Sequence, residues 1–145
     1  MKLLPLETSA ALLTQRLREQ FPRVSFSVHL VPDHVGSLVV HWYDGPASTR
    51  VAEVVKGHTH PSTVTIDGET YHHAAVQAYT YRHLTPAGAK LFEAAIVVGT
   101  GQEYDPTRMV LAEVVSGSVR PVHRVEHRKC MDQLFRELLE KADLP

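Results

Sequence analysis

Three observations predict an α+β chain: helical apolar spacing near both ends, several alternating apolar–polar stretches between them, and turn residues that separate one element from the next. The predicted architecture is an antiparallel sheet of three or more strands covered by helices. Its order is αββα, then a small hairpin, then βα and a C-terminal helix. With 145 residues, 43% of them hydrophobic, the chain can bury a core without disulfide or metal. It reads as a single domain over 1–145, with 100–145 as a C-terminal extension packing on it.

The first helix is expected from a cap at Thr8 or Ser9, with Ala11, Leu12, Leu13, Leu17 and Phe21 as its inward stripe and Pro22 as its stop. The stretch 24–31 alternates, so Val24, Phe26, Val28 and Leu30 share one face and Ser25, Ser27 and His29 the other. A loop around Pro32-Asp33-His34-Val35-Gly36 leads to a second strand at 37–43, read as the antiparallel partner of the first. Ser48 or Thr49 can cap a helix carrying Val51, Val54 and Val55, which Gly57 should end. Thr63–Ile66, Asp67-Gly68 and Glu69–Tyr71 read as a small hairpin. Val76–His83 alternates again, with Tyr79, Tyr81 and His83 on one face and Ala78, Thr80 and Arg82 on the other. Thr85-Pro86 opens a helix that closes at Gly99-Thr100-Gly101. Residues 105–115 fit either a helix or a strand. From Val122 to Ala142 a helix is expected, with Met131, Leu134, Phe135 and Leu138 as its stripe.

The sharpest local feature is Val39-Val40-His41-Trp42-Tyr43-Asp44-Gly45-Pro46, a β-branched run holding the sole tryptophan and ending in a turn. Trp42 reads as core, and Asp44, Gly45 and Pro46 as turn-forming residues. A leading amphipathic helix, a strand, a loop, this second strand and a Val-x-x-Val-Val helix together resemble the large polyvalent protein-associated domain of the twenty-ninth type. Its recurrent signature is a strand closing in Trp-Thr-Asp-Gly-Pro, and Tyr43 stands here at the usual threonine. Ala78–Pro86 is similar to that family's strand followed by a Ser-Pro helix start, so the resemblance runs over about residues 8–98. It implies a module of phages, plasmids and other mobile elements, often within long multidomain proteins. It implies no reaction and supplies no catalytic residues.

A formal charge of −1 excludes a whole-molecule field that would draw the chain to nucleic acid or to an anionic membrane. Contact with such partners must be local. Cys130 is the sole cysteine, so no internal disulfide forms, and a reducing, cytoplasmic setting is the default expectation. No stretch is apolar enough to span a bilayer, and residues 1–9 lack the pattern of a signal peptide.

Local chemistry rests on ten histidines and one basic segment. His58, His60, His72 and His73 flank the small hairpin, where convergence would make a zinc site and support a metal-dependent hydrolase; solvated loop histidines are the plainer account. His123, His127 and Cys130 would fall on one side of a helix, although Arg124, Arg128 and Lys129 oppose a cation there. No other cofactor is implied. Helical spacing would also align Arg120, Arg124 and Arg128, beside Lys129, as a phosphate-neutralising face. If Tyr43, Tyr79 and Tyr81 share an open sheet face, they can stack unpaired bases. The leading expectation is a non-enzymatic binding or accessory module of mobile-element type that contacts nucleic acid or a protein partner through this basic C-terminal segment. A purely structural interaction domain is the third reading, and a homodimer would follow if the C-terminal apolar stripe were left exposed.

Overall fold

In the computed structural model residues 2–31, 36–61, 63–73 and 77–145 are described. Val76 and residues 32–35, which the sequence assigned to the third strand and the first hairpin loop, lie outside them. The class is α+β, with four helices and three small sheets among the described residues. The chain divides into two compact units. One comprises residues 1–43 and 50–83, the other 44–49 and 84–145.

In the first unit, α1 (Leu6–Gln20) starts two residues before the expected caps, after Pro5, whose fixed φ suits a helix entry. Ser9 therefore sits inside the helix and is buried with Leu13 and Leu17, four residues apart on one stripe. The strands β2 (Ser27–Leu30) and β3 (Ser37–Tyr43) pair antiparallel, as expected of the hairpin. Residues 24–26 do not join the ladder, yet Val24 and Phe26 still pack on the core. The helix α2 (Ser48–Thr59) runs through Gly57 for two more residues, because a glycine without a left-handed backbone weakens a helix but does not end it. Its stripe Val51–Val55 completes a core with Leu38, Val40 and Trp42 of β3, in which Trp42 is 1% exposed.

The hairpin β4 (Thr63–Ile66) and β5 (Glu69–His72) forms around Asp67 and Gly68, both at positive φ as a type I′ turn requires. The short β1 (Lys2–Leu3) adds to β5 in parallel. The strand β6 (Gln77–His83) lies beside β3, and here the expected antiparallel sheet is corrected: β3 and β6 run parallel, making β2-β3-β6 a mixed sheet. Parallel neighbours need a crossover connection, which the chain supplies between Tyr43 and Gln77 with α2 and the small hairpin.

In the second unit, α3 (Pro86–Thr100) begins and ends where the sequence placed it. Thr85 caps it by accepting the Gly88 N–H (3.1 Å), and Gly101 closes it in the left-handed conformation. Asp44, at φ 53°, holds that cap in turn. Its carboxylate accepts the Thr85 N–H at 2.9 Å and the Thr85 hydroxyl at 2.6 Å. Ala47 N–H donates to Asp143 and Leu144 N–H to the Gly45 carbonyl, so Asp-Gly-Pro anchors both α3 and the chain after the last helix. Ser48 and Thr49, expected as helix caps, instead donate their hydroxyls to the carbonyls of Leu139 and Glu140.

The ambiguous stretch 105–115 resolves into strand β7 (Met109–Val115). Asp105 accepts both the N–H and the hydroxyl of Thr107, which makes Asp105-Pro106 a local turn rather than a helix start. A tight turn with Ser116 and Gly117 at positive φ leads to β8 (Ser118–Pro121). The expected long C-terminal helix is then corrected. Residues 125–127 form one 3-10 turn, β9 (Arg128–Cys130) pairs with β7, and α4 begins only at Met131 and ends at Lys141. Cross-strand pairing with β7 overrides helix propensity in this stretch. Met131, Leu134 and Leu138 pack with Phe92, Ile96, Val110 and Ala112, and Phe135 is half-buried against them. The unit itself thus covers the stripe that would have driven dimerisation.

The Asp44 cap yields a double-mutant prediction. A Cβ on Gly88 would land on the Asp44 carboxylate, so Gly88→Ala should destabilise strongly. Asp44→Ala should cost about 1–3 kcal/mol through loss of its two hydrogen bonds from Thr85. In the double variant, urea unfolding should show far less than the sum, because the clashing carboxylate is gone.

Candidate functional site

The alternation of β2, β3 and β6 sorts two different surfaces onto one sheet. Val28, Leu30, Leu38, Val40 and Trp42 turn toward α1 and α2. The opposite face presents Ser27 and His29 from β2, Ser37, Val39, His41 and Tyr43 from β3, and Gln77, Tyr79, Tyr81 and His83 from β6. None of these residues is a carboxylate, lysine or arginine. Tyr43, Tyr79 and Tyr81 are 64%, 47% and 50% exposed, so the tyrosine face is open.

His41 is the hub of that face. Register sets it between Ser27 and Tyr81, and its diagonal neighbours on the flanking strands are His29 and His83. Its ring stacks with those of His29 at 5.3 Å and Tyr81 at 5.4 Å, and Tyr43 lies 5.1 Å from His83. His41 Nδ1 and His83 Nε2 share a hydrogen bond of 2.8 Å. A second positive charge is poorly tolerated here: burial first, then His83 and His29, hold the His41 imidazole below its ordinary value. The sequence placed Tyr79, Tyr81 and His83 on this face but did not join His29 and His41 to them. The signal was available, because every one of these residues occupies an odd-numbered, outward strand position.

The histidines around the small hairpin behave differently. Of the four expected to converge, the structure gathers His58 and His73, while His60 and His72 are exposed. Both gathered rings contact Ser9 Oγ at 2.9 Å through Nε2. The hydrogen-bond directions follow from the Pro61 carbonyl. That oxygen can only accept, so His73 Nδ1 carries the proton it donates there at 3.3 Å. In the neutral ring His73 Nε2 is then an acceptor, Ser9 O–H donates to it, and His58 Nε2–H donates to Ser9. His58 Nδ1 is left as a buried lone pair with no partner among the described residues. A serine hydroxyl at this distance from an imidazole has the geometry of an activated nucleophile. Ser9, His58 and His73 are all buried, however, so the trio joins α1, α2 and the end of β5 rather than facing a substrate.

Among the described residues no three of His, Cys, Asp and Glu gather in a way that would hold a metal ion. His123 and Cys130 lie on different elements from the expected shared helix face, and His127 sits 3.7 Å from Glu113. The basic segment is dispersed too. Arg120 lies on β8, Arg124 precedes the 3-10 turn, and Arg128 and Lys129 lie on β9, so no helix aligns them. Lys129 is paired with Glu137 at 2.6 Å. Arg120 and Arg128 do face the same way, opposite Glu113 and Leu111 of β7 respectively, so the strand residue facing Arg120 is acidic. Among the described residues no helix is long and apolar enough to cross a membrane.

Fold and site together define an α+β protein whose ring cluster lies on an open sheet face rather than in a cleft. The family model for Large polyvalent protein associated domain 29 matches residues 4–95, well over half of the chain, and the chain belongs to that family. It is thereby a module of the kind associated with polyvalent proteins. Comparison with curated proteins and with solved structures finds no match. The matched span covers the sheet face, the Ser9 trio and the Asp44–Thr85–Gly88 cap.

The buried trio predicts how stability depends on pH. Burial first, then Arg16 and His73, lower His58 to about 4, against a Ser9 hydrogen bond that raises it. An unfolded histidine titrates near 6.5, so between these values only the unfolded state takes the proton. The contribution is complete above about pH 6.5 and is lost as pH falls toward 4, for a total of about 3 kcal/mol. Urea melts over that range should show this slope in the wild type and a flatter one in His58→Gln.

Proposed function

We propose that this chain is a non-enzymatic accessory module that contacts nucleic acid through the open face of its β2-β3-β6 sheet. The observation that supports this reading is the combination on one face of three exposed tyrosines and three histidines with no carboxylate among them. Aromatic rings standing off a sheet offer stacking platforms for bases, and base–aromatic stacking contributes roughly 1–3 kcal/mol per base. The absence of acidic side chains from these described strand positions lessens the repulsion that a phosphate backbone would otherwise meet. Arg120, Arg124 and Arg128 serve at most as auxiliary phosphate contacts, because Glu113 faces Arg120 and Lys129 is already paired.

Fluorescence anisotropy of labelled oligonucleotides with the full chain tests the reading. Tyr81→Ala should weaken binding roughly tenfold while leaving the melting temperature close to wild type, since one exposed stacking ring is lost. Arg124→Ala should change affinity by a smaller factor. No binding to any nucleic acid at low ionic strength would remove the proposal.

A further inference from the structure

The imidazoles lie between the tyrosines on the sheet face, and their contacts define what they can add to stacking. His41 and His83 are joined by a nitrogen–nitrogen hydrogen bond of 2.8 Å, and His29 stacks on His41 at 5.3 Å. In the neutral state one ring donates N–H to the lone pair of the other. When the pair gains one proton, the same contact becomes imidazolium donating to imidazole, a charge-assisted and stronger bond. A second proton would place two cations against each other. The pair is thus built to carry one positive charge, and an anion laid on the face is what would favour that charge.

Among the described strand residues of this sheet, the titratable groups on the face of His41 are few. They are His29 on β2, Tyr43 on β3, and Tyr79, Tyr81 and His83 on β6. The helices α1 and α2 pack on the opposite face. The described strand positions of this face therefore switch between neutral and cationic without a carboxylate among them to offset the change.

Ring spacing selects the form of nucleic acid. Tyr79 and Tyr81 are two residues apart on one strand, so their rings stand about 7 Å apart along β6. That spacing accommodates successive bases spread onto separate rings. Bases in a duplex are stacked on each other and closed to such contact, whereas an unpaired strand can splay them out.

Building on the nucleic-acid reading above, we propose that this face binds single-stranded nucleic acid and takes up a proton in doing so. The tyrosines stack the bases, and the His29–His41–His83 cluster holds a phosphate in its protonated form. By linkage, affinity rises as pH falls, with a limit of tenfold per pH unit for one full proton.

The test uses the full chain and oligothymidylate, whose bases do not titrate near neutral pH, beside its duplex with oligoadenylate. Anisotropy titrations at pH 8, 7 and 6 should show the single strand bound at least roughly tenfold tighter than the duplex. They should also show about a tenfold gain for the single strand over that pH range, corresponding to half a proton per unit. Isothermal calorimetry in two buffers of different ionisation enthalpy should register the proton uptake directly. His41→Gln and His83→Gln should each flatten the pH slope, with the largest loss of affinity at pH 6; Tyr81→Ala should weaken binding at every pH and keep the slope. His60→Gln and His72→Gln, away from the face, should leave the slope intact. Equal binding of duplex and single strand, or a slope unchanged in both His41→Gln and His83→Gln, would overturn the inference and leave the nucleic-acid reading standing. Failure of every oligonucleotide to bind at any pH would overturn both.

Discussion

Strand β3 is the constraint on which the rest of the first unit depends. Its even positions, Leu38, Val40 and Trp42, insert into the core, and its odd positions, His41 and Tyr43, lie among the exposed rings. Because the side-chain period of a strand is two, core and outer face are set by one choice of register. A slip of one residue would drive two polar rings into the core and expose the tryptophan. Burial of Trp42, which would cost about 3–5 kcal/mol to replace by alanine, therefore also fixes where His41 points. Packing on one side of the sheet sets the chemistry on the other.

The histidines divide by environment rather than by sequence clustering. His58 and His73 are fastened to one serine hydroxyl that both rings contact, and burial holds the His58 imidazole well below its ordinary value. His41 and His83 share a bond on an accessible face. His60 and His72, though adjacent in sequence to the buried pair, stay outside. One residue type thus performs structural fastening in one place and presents titratable nitrogen in another, and the difference lies in which side of its element each ring occupies.

Much of the fold was legible wherever a local pattern carries the decision. Alternation located β3 and β6 and assigned their faces, turn chemistry located the Asp67-Gly68 hairpin, and Thr85-Pro86 marked the start of α3. What could not be read was decided by distant partners. Nothing in 76–83 itself states whether it runs with or against β3, and nothing in 128–130 announces that β7 will claim it as a strand before the helix begins. Asp44 was legible as a turn residue, but its second task, holding the cap of a helix forty-one residues later, requires knowing that the two ends meet. The outer face was half visible: the tyrosines stood out as aromatic, while the three histidines had to be summed across strands before they formed a cluster.

The parallel pairing of β3 with β6 has a consequence for how the protein comes into being. His41 and Tyr81, which stack on each other, are forty residues apart in the chain. The hairpin of β2 and β3 closes over a short loop, but β6 can join only after the intervening helix and small hairpin have been accommodated. Contacts of such sequence separation are slow to form because loop closure must precede any gain from pairing. The ring-bearing face is thus absent from the early, locally ordered states of the chain, and a nascent polypeptide lacks the complete surface until synthesis has passed His83.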